Sequence, residues 1–160
     1  MSEDSNNDQP AFRNLASYLK DKGWQVDEIE SGSAFKSSKD GELCPLIYYF
    51  QIKPDLEQFL FYIVPHINLL EQMIPPAMEY VCRANVGLRI GNFELDVRDG
   101  QITFKSSVNY KGLELSAQLI DNTIQPALTA FDEFFPGLAN VIAGIETPAS
   151  AIAKAEYGTG

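Results

Sequence analysis

The sequence predicts an α+β fold, an antiparallel β-sheet with flanking helices in the order α-β-β-β-α-β-β-α. Three observations carry that prediction. Arg89 to Val108, RIGNFELDVRDGQITFKSSV, reads as a β-hairpin turning at Asp99-Gly100. Leu46 to Lys53 and Gln58 to Val64 are dense in aromatic and β-branched residues, the composition of buried strands. Apolar residues from Leu119 to Ile145 recur at steps of three and four, which is one face of a helix.

The elements follow in chain order. Residues 1–9 are polar and acidic and are expected to form a flexible leader. Phe12, Leu15, Ala16 and Leu19 lie at helical spacing, so Pro10 to Lys22 is expected to be a short amphipathic helix stopped by Gly23. Trp24 to Glu30 reads as a strand. Ser31 to Gly41, SGSAFKSSKDG, is polar and turn-forming, and reads as a loop or an irregular hairpin tip. LIYYFQIK and QFLFYIV then form two strands joined by Pro54-Asp55-Leu56-Glu57. A helix opened by Asp55 is the alternative for the second segment. Pro65 ends it in either case, because proline has no N–H for a ladder or a helix. A helical pattern begins at Leu69. Pro75-Pro76 suits a first turn, so the regular helix is expected to start there, carry Met78, Val81, Cys82 and Asn85, and stop at Gly87.

In the hairpin, a two-residue turn with positive φ at both positions favours Asp or Asn followed by Gly. Val97 then faces Ile102, Leu95 faces Phe104, and Phe93 faces Ser106. The other face carries Asp96 against Thr103 and Glu94 against Lys105, an opposite-charge pair worth roughly 0.2–1 kcal/mol. A one-residue slip would mix the apolar and polar faces. Lys111-Gly112 marks a further turn, and the remainder is helical. Pro126 and Pro136 fall inside the long stripe, so a kinked helix, or two helices broken near Pro136-Gly137, is expected. Residues 10–147 read as a single domain, and Pro148 to Gly160, rich in alanine, as a flexible tail.

Composition narrows the function classes. The chain has 160 residues, 45% hydrophobic and 11% aromatic, which is enough to bury a core. No apolar run reaches the ~18–20 residues of a membrane span, and the amino terminus lacks the pattern of a secretory signal, so a cytoplasmic location and no membrane partner are expected. A net charge of −10 with scattered basic residues repels phosphate backbones, so nucleic acid is not an expected partner. Cys44 and Cys82 read as small buried hydrophobes, and with His66 as the single histidine they cannot complete a zinc set.

No residue pattern announces a reaction. His66 has no partner at recognisable triad spacing and reads as a loop or core-edge residue. Asp96, Asp99 and Asp121 do not make a metal set: D-V-R-D-G loosely resembles a calcium loop but lacks the later oxygen ligands. Gly87 to Gly91, GLRIG, lacks the spacing and context of a phosphate cradle and reads as a helix-to-strand corner. No enzyme, no cofactor and no metal is expected.

One resemblance can be stated on particular residues. The stretch ANVGLRIGNFELDVRDGQITFKSSVNY, followed by LIDNTIQPALTAFDEFFPGLANVIAG, resembles the YbjN family, described as bacterial sensory-transduction regulators. Asn85, Gly91, Phe93 and Glu94, Asp99-Gly100, Phe104-Lys105 and the FFPG segment carry it, over roughly Leu70 to Ala153. The resemblance implies a fold similar to type III secretion chaperones, which are small acidic α+β proteins, usually dimers, that bind other polypeptides. It implies no catalytic residue.

The densest aromatic cluster is Tyr48, Tyr49, Phe50, Phe59, Phe61 and Tyr62. Alternate residues of a strand point to opposite faces, so one set fills the core and the other is covered by a helix, a second subunit or a client. Phe134 and Phe135, being adjacent, cannot both face one narrow stripe. The reading is a non-enzymatic protein-binding module, chaperone- or adaptor-like, forming a homodimer. Its expected contact residues are Tyr49, Phe59, Phe61, Met78, Phe134 and Phe135. A small-ligand sensor with a pocket between the sheet and the long helix is the alternative.

Overall fold

Alternating apolar residues build the centre of the sheet. β3 (Pro45–Lys53) buries Leu46, Tyr48, Phe50 and Ile52, and β4 (Gln58–Pro65) buries Phe59, Phe61, Ile63 and Pro65. Their period of two is a strand period, and it excludes the helical alternative for 58–64. The pairing places Tyr48 opposite Ile63, Phe50 opposite Phe61, and Ile52 opposite Phe59. The chain is described here from a computed structural model covering residues 9–157. The leader expected over 1–9 therefore lies outside the described residues, apart from Gln9.

Before this pair come α1 (Pro10–Asp21), β1 (Asp27–Glu30) and β2 (Ala34–Asp40). After it come a 3-10 turn at Glu71–Met73, α2 (Ile74–Gly87), β5 (Asn92–Asp96), β6 (Gln101–Asn109), α3 (Ala117–Ile142) and α4 (Pro148–Tyr157). Six strands form one antiparallel sheet in the order β1-β2-β3-β4-β6-β5. Helices α1, α2 and α3 close over one face, on a core that includes Leu15, Phe50, Phe61, Tyr80, Phe104 and Ile124. The fold is the expected α+β class, with one more strand and one more helix. No helix among the described residues is long and apolar enough to cross a membrane.

Six local expectations are corrected. Ser31 to Gly41 is a loop only at its start: residues 31–33 form the tip of an irregular β1–β2 hairpin, and β2 occupies Ala34–Asp40, held by pairing with β3 along its length. The signal was weak because only Phe35 contributes a large apolar side chain, beside Phe50 and stacked on Phe12 at 4.7 Å. β1 is correspondingly shorter than Trp24 to Glu30, since Trp24 leaves the strand to pack edge-on against Tyr48 and Phe50.

The hairpin register differs by two residues from the expected one. Phe93 pairs with Phe104 and Leu95 with Ile102, while Val97 sits in the turn, 53% exposed. Asp99 does not adopt positive φ, whereas Gly100 does, at 76°. A longer turn results, closed by Gly100 N–H donating to Asp96 O at 2.7 Å. Asp96 drives it: its carboxylate accepts from the Arg98 backbone N–H at 3.0 Å and from the Arg98 guanidinium, which together hold its pKa down to about 2. A shift by two preserves which face each side chain occupies. Glu94 and Lys105 still form an ion pair, now along a diagonal, since Lys105 stands directly opposite Asn92.

The last helix does not break at Pro136-Gly137. Both prolines lie within α3, and the break comes at Gly144, where φ is 74° and Ile145 N–H donates back to Asn140 O at 2.9 Å. Of the expected flexible tail, Pro148–Tyr157 instead forms α4, whose Ala151 and Ile152 are buried against the helical layer; residues 158–160 lie outside the described residues. Small alanine side chains permit that close packing while giving little hydrophobic signal. Finally, Cys44 is buried as expected but Cys82 is exposed.

Candidate protein-interaction surfaces

Strand alternation leaves a second set of side chains on the sheet face that points away from the helical layer. On β3 and β4 these are Ile47, Tyr49 and Gln51, paired with Val64, Tyr62 and Leu60 respectively. β6 continues the row, with Lys105 on the other side of Tyr62 and Ser107 beside Leu60. All of these residues except the exposed Ser107 are half-buried, shielded by sheet neighbours and open above. The result is a flat patch of two tyrosines and three aliphatic residues in the middle of the sheet.

The patch has a charged border. Lys105 pairs with Glu94, and that hydrogen bond raises the lysine pKa, keeping it cationic. Burial raises the Tyr62 pKa; Lys105 opposes the shift and Glu94 adds to it. Tyr62 therefore remains a neutral hydroxyl able to donate or accept a hydrogen bond. Such a surface presents amphipathic rings of low conformational entropy, the kind of side chain that anchors protein interfaces.

The structure separates the residues expected to make contacts. Tyr49 lies on the open sheet face. Phe59 and Phe61 point the opposite way and are fully buried. Met78 is 42% exposed on α2, where it starts a stripe with Cys82 and Val86 at four-residue steps; Val86 is 88% exposed. Phe134 and Phe135 are both buried and face different sides of α3. Phe135 stacks on Phe131 at 4.6 Å beside the β2–β3 connection, and Phe134 sits on the side of α2 and α4.

Tyr62, Ile47, Leu60 and Val64 belong to the open face and were not singled out. Their signal was present in the connection itself. A four-residue turn at Pro54–Glu57 makes Lys53 face Gln58, and parity then puts Tyr62, not Phe61, beside Tyr49. His66 is exposed and is fixed by its backbone N–H donating to Pro45 O at 2.8 Å. Asp121 accepts from the Tyr18 hydroxyl at 2.7 Å. Among the described residues no three His, Cys, Asp or Glu side chains are grouped so as to hold a metal.

A single antiparallel sheet with helices over one face and an apolar open face defines a small α+β module with a surface suited to polypeptide contact. The chain belongs to the YbjN family, described as "Putative bacterial sensory transduction regulator", whose model matches residues 12–140. The match takes in the first half of the chain as well, beyond the stretch from Leu70 on which the sequence resemblance was stated. Among solved structures, YbjN from E. coli superposes with a TM-score of 0.58 at 12% identity, covering 82% of this chain and 88% of that one. The HopA1–SchA chaperone–effector complex also matches, at a TM-score of 0.47 and 15% identity, over 81% of this chain and 94% of that one. No curated protein matches the chain in sequence.

Proposed function

We infer that this chain is a non-enzymatic protein-binding module, adaptor- or chaperone-like, with a regulatory role. The carrying observation is the open sheet face. Ile47, Tyr49, Leu60, Tyr62 and Val64 lie together there and remain half-exposed. Contiguous apolar surface on a soluble protein marks an interaction site. A polypeptide laid on this face buries the two tyrosine rings and meets the Lys105–Glu94 pair at its edge. The family description is consistent with this role, and the clefts lined by Asn14 and Gln118 and by Ile90 and Pro126 are open surface grooves. A cytoplasmic location goes with the reading, supported by two unpaired cysteines.

A second observation favours a homodimer. Met78, Cys82 and Val86 form an exposed stripe on α2 with Cys82 at its centre. Packed antiparallel against its own copy, such a stripe sets Met78 against the partner copy's Val86 end and brings the two central thiols together, as a self-complementary contact requires. The test of the main reading is capture of partners by tagged protein, with and without Tyr49→Lys and Tyr62→Lys. Loss of a stoichiometric partner in the folded variant supports the open face, and its retention rejects it.

A further inference from the structure

A groove runs along α3 on the side away from the open sheet face. One wall is the α2–β5 connection, with Leu88 and Ile90; the floor is Pro126, Ala130 and Phe134 of α3; the end of α4 closes it. Its volume is about 980 Å³. The α3 residues that line it extend from Asp121 to Phe134, a length of about 20 Å at the rise of an α-helix. Ile90 is 48% exposed, so the apolar wall lies open to solvent.

The rim is acidic. Glu133 and Glu156 stand against one basic side chain in the lining, Arg89, while Asp121 already accepts from the Tyr18 hydroxyl and lies 3.7 Å from Lys22 Nζ. Glu133 and Glu156 are exposed, and Glu156 reaches across the end of the groove, where a Cβ at Gly87 would lie 3.7 Å from its Oε1. The carboxylates converge enough to be felt at Tyr80: burial raises its pKa first, and Glu146, Glu156 and Glu133 raise it further. Pro126 has no N–H, so the helical hydrogen bond to the Asn122 carbonyl cannot form, and both residues line the groove.

We propose that this groove receives a basic amphipathic helix from a partner protein, its apolar side on Ile90, Pro126 and Ala130 and its lysines or arginines on the rim carboxylates. The proposal rests on the protein-binding reading and adds to it a partner class and a separate surface. An apolar stripe laid in an apolar groove is a recurrent way to hold a helix. Charge decides the occupant. The rim offers acceptors and negative charge and needs donors, whereas a second copy of a chain carrying a net charge of −10 brings more carboxylates.

The probe is a fluorescein-labelled synthetic peptide of about fourteen residues, long enough to fill the groove as a helix, with leucines at i, i+3, i+4 and i+7 and lysines opposite. Binding to the full chain is followed by anisotropy. Glu133→Lys with Glu156→Lys is expected to weaken it at least about tenfold, as is Ile90→Asp, while Asp27→Lys with Asp55→Lys, the same charge change elsewhere, alters it less than about twofold. Circular dichroism checks that each variant is folded. Absence of saturable binding, equal loss from the two charge-reversal pairs, or indifference to Ile90→Asp overturns the proposal. The open-face variants Tyr49→Lys and Tyr62→Lys leave the groove intact, so failure here is distinguishable from failure of the sheet-face reading.

Discussion

The Tyr80 hydroxyl donates to the Phe134 carbonyl at 2.6 Å, joining the middle of α2 to the FFPG segment of α3. The same ring explains the glycine that follows. A Cβ at Gly137 would overlap the Tyr80 oxygen and lie 3.0 Å from its Cζ. Gly137→Ala should therefore destabilise the fold, although inside a helix alanine is ordinarily favoured over glycine by about 1 kcal/mol. Tyr80→Phe should cost about 1 kcal/mol through the lost hydrogen bond. Combined, the two changes should cost less than their sum, because removing the hydroxyl relieves the closest contact. Chemical denaturation of the four proteins reads that coupling, and strict additivity contradicts the packing described.

The β5–β6 turn makes a second prediction. Gly100→Ala should cost at least about 1 kcal/mol, since the residue sits at φ 76° and its added Cβ would meet Leu69 Cβ at 3.2 Å. Asp99→Ala removes one hydrogen bond, from the Gln101 N–H to Oδ1, and should cost less. A two-residue turn with both positions left-handed would make the two substitutions comparable, so their melting temperatures discriminate between the registers.

Stability should fall in alkali. The Tyr18 pKa is raised to about 12, first by burial and then by its hydrogen bond to Asp121; burial also raises Tyr48, Tyr62, Tyr80 and Tyr110. Between the unfolded value, near 10, and these higher folded values, the folded chain holds protons that the unfolded chain has released. The tyrosine contribution is therefore complete below pH 10 and is lost as pH rises toward and beyond about 12 for Tyr18. Melting temperature against pH should drop over that window, and Tyr18→Phe should flatten part of the drop. A flat profile contradicts the burial of these hydroxyls.

Mild oxidation should cross-link two chains through Cys82. Cys44 is buried, with its pKa raised by that burial, and should not take part. Cys82→Ser should abolish the covalent dimer and Cys44→Ser should not. Retention of the cross-link in Cys82→Ser, or a monomeric mass by light scattering at micromolar concentration, removes α2 as the dimer seam.

The strands with strong alternation, β3 and β4, were legible in the sequence because their apolar period is set by burial on one face. β2 was not, because a polar strand beside β3 is specified by its neighbour's backbone and by the single Phe12–Phe35 stack. α4 escaped notice for a related reason: alanine packs closely without marking itself as buried. The hairpin turn misled because Asp99-Gly100 is a genuine turn signal, yet Asp96 and Arg98 compete for the preceding residues and lengthen the loop. Composition identified the two strands that build the open sheet face, but only the parity across Pro54–Glu57 distinguishes Tyr62 from Phe61 as its member.

The central claim is that the open sheet face holds a partner. Tyr49→Lys with Tyr62→Lys places two charges on that face without touching the core; because they stand opposite Lys36 and Lys105, some stability is lost, and circular dichroism checks that the variant is folded. Cross-linked pull-downs of both proteins from native lysate, followed by mass spectrometry, make the comparison directly. The account predicts a stoichiometric partner on the parent that is missing from the variant. Equal recovery of that partner from both, with the variant folded, would contradict it.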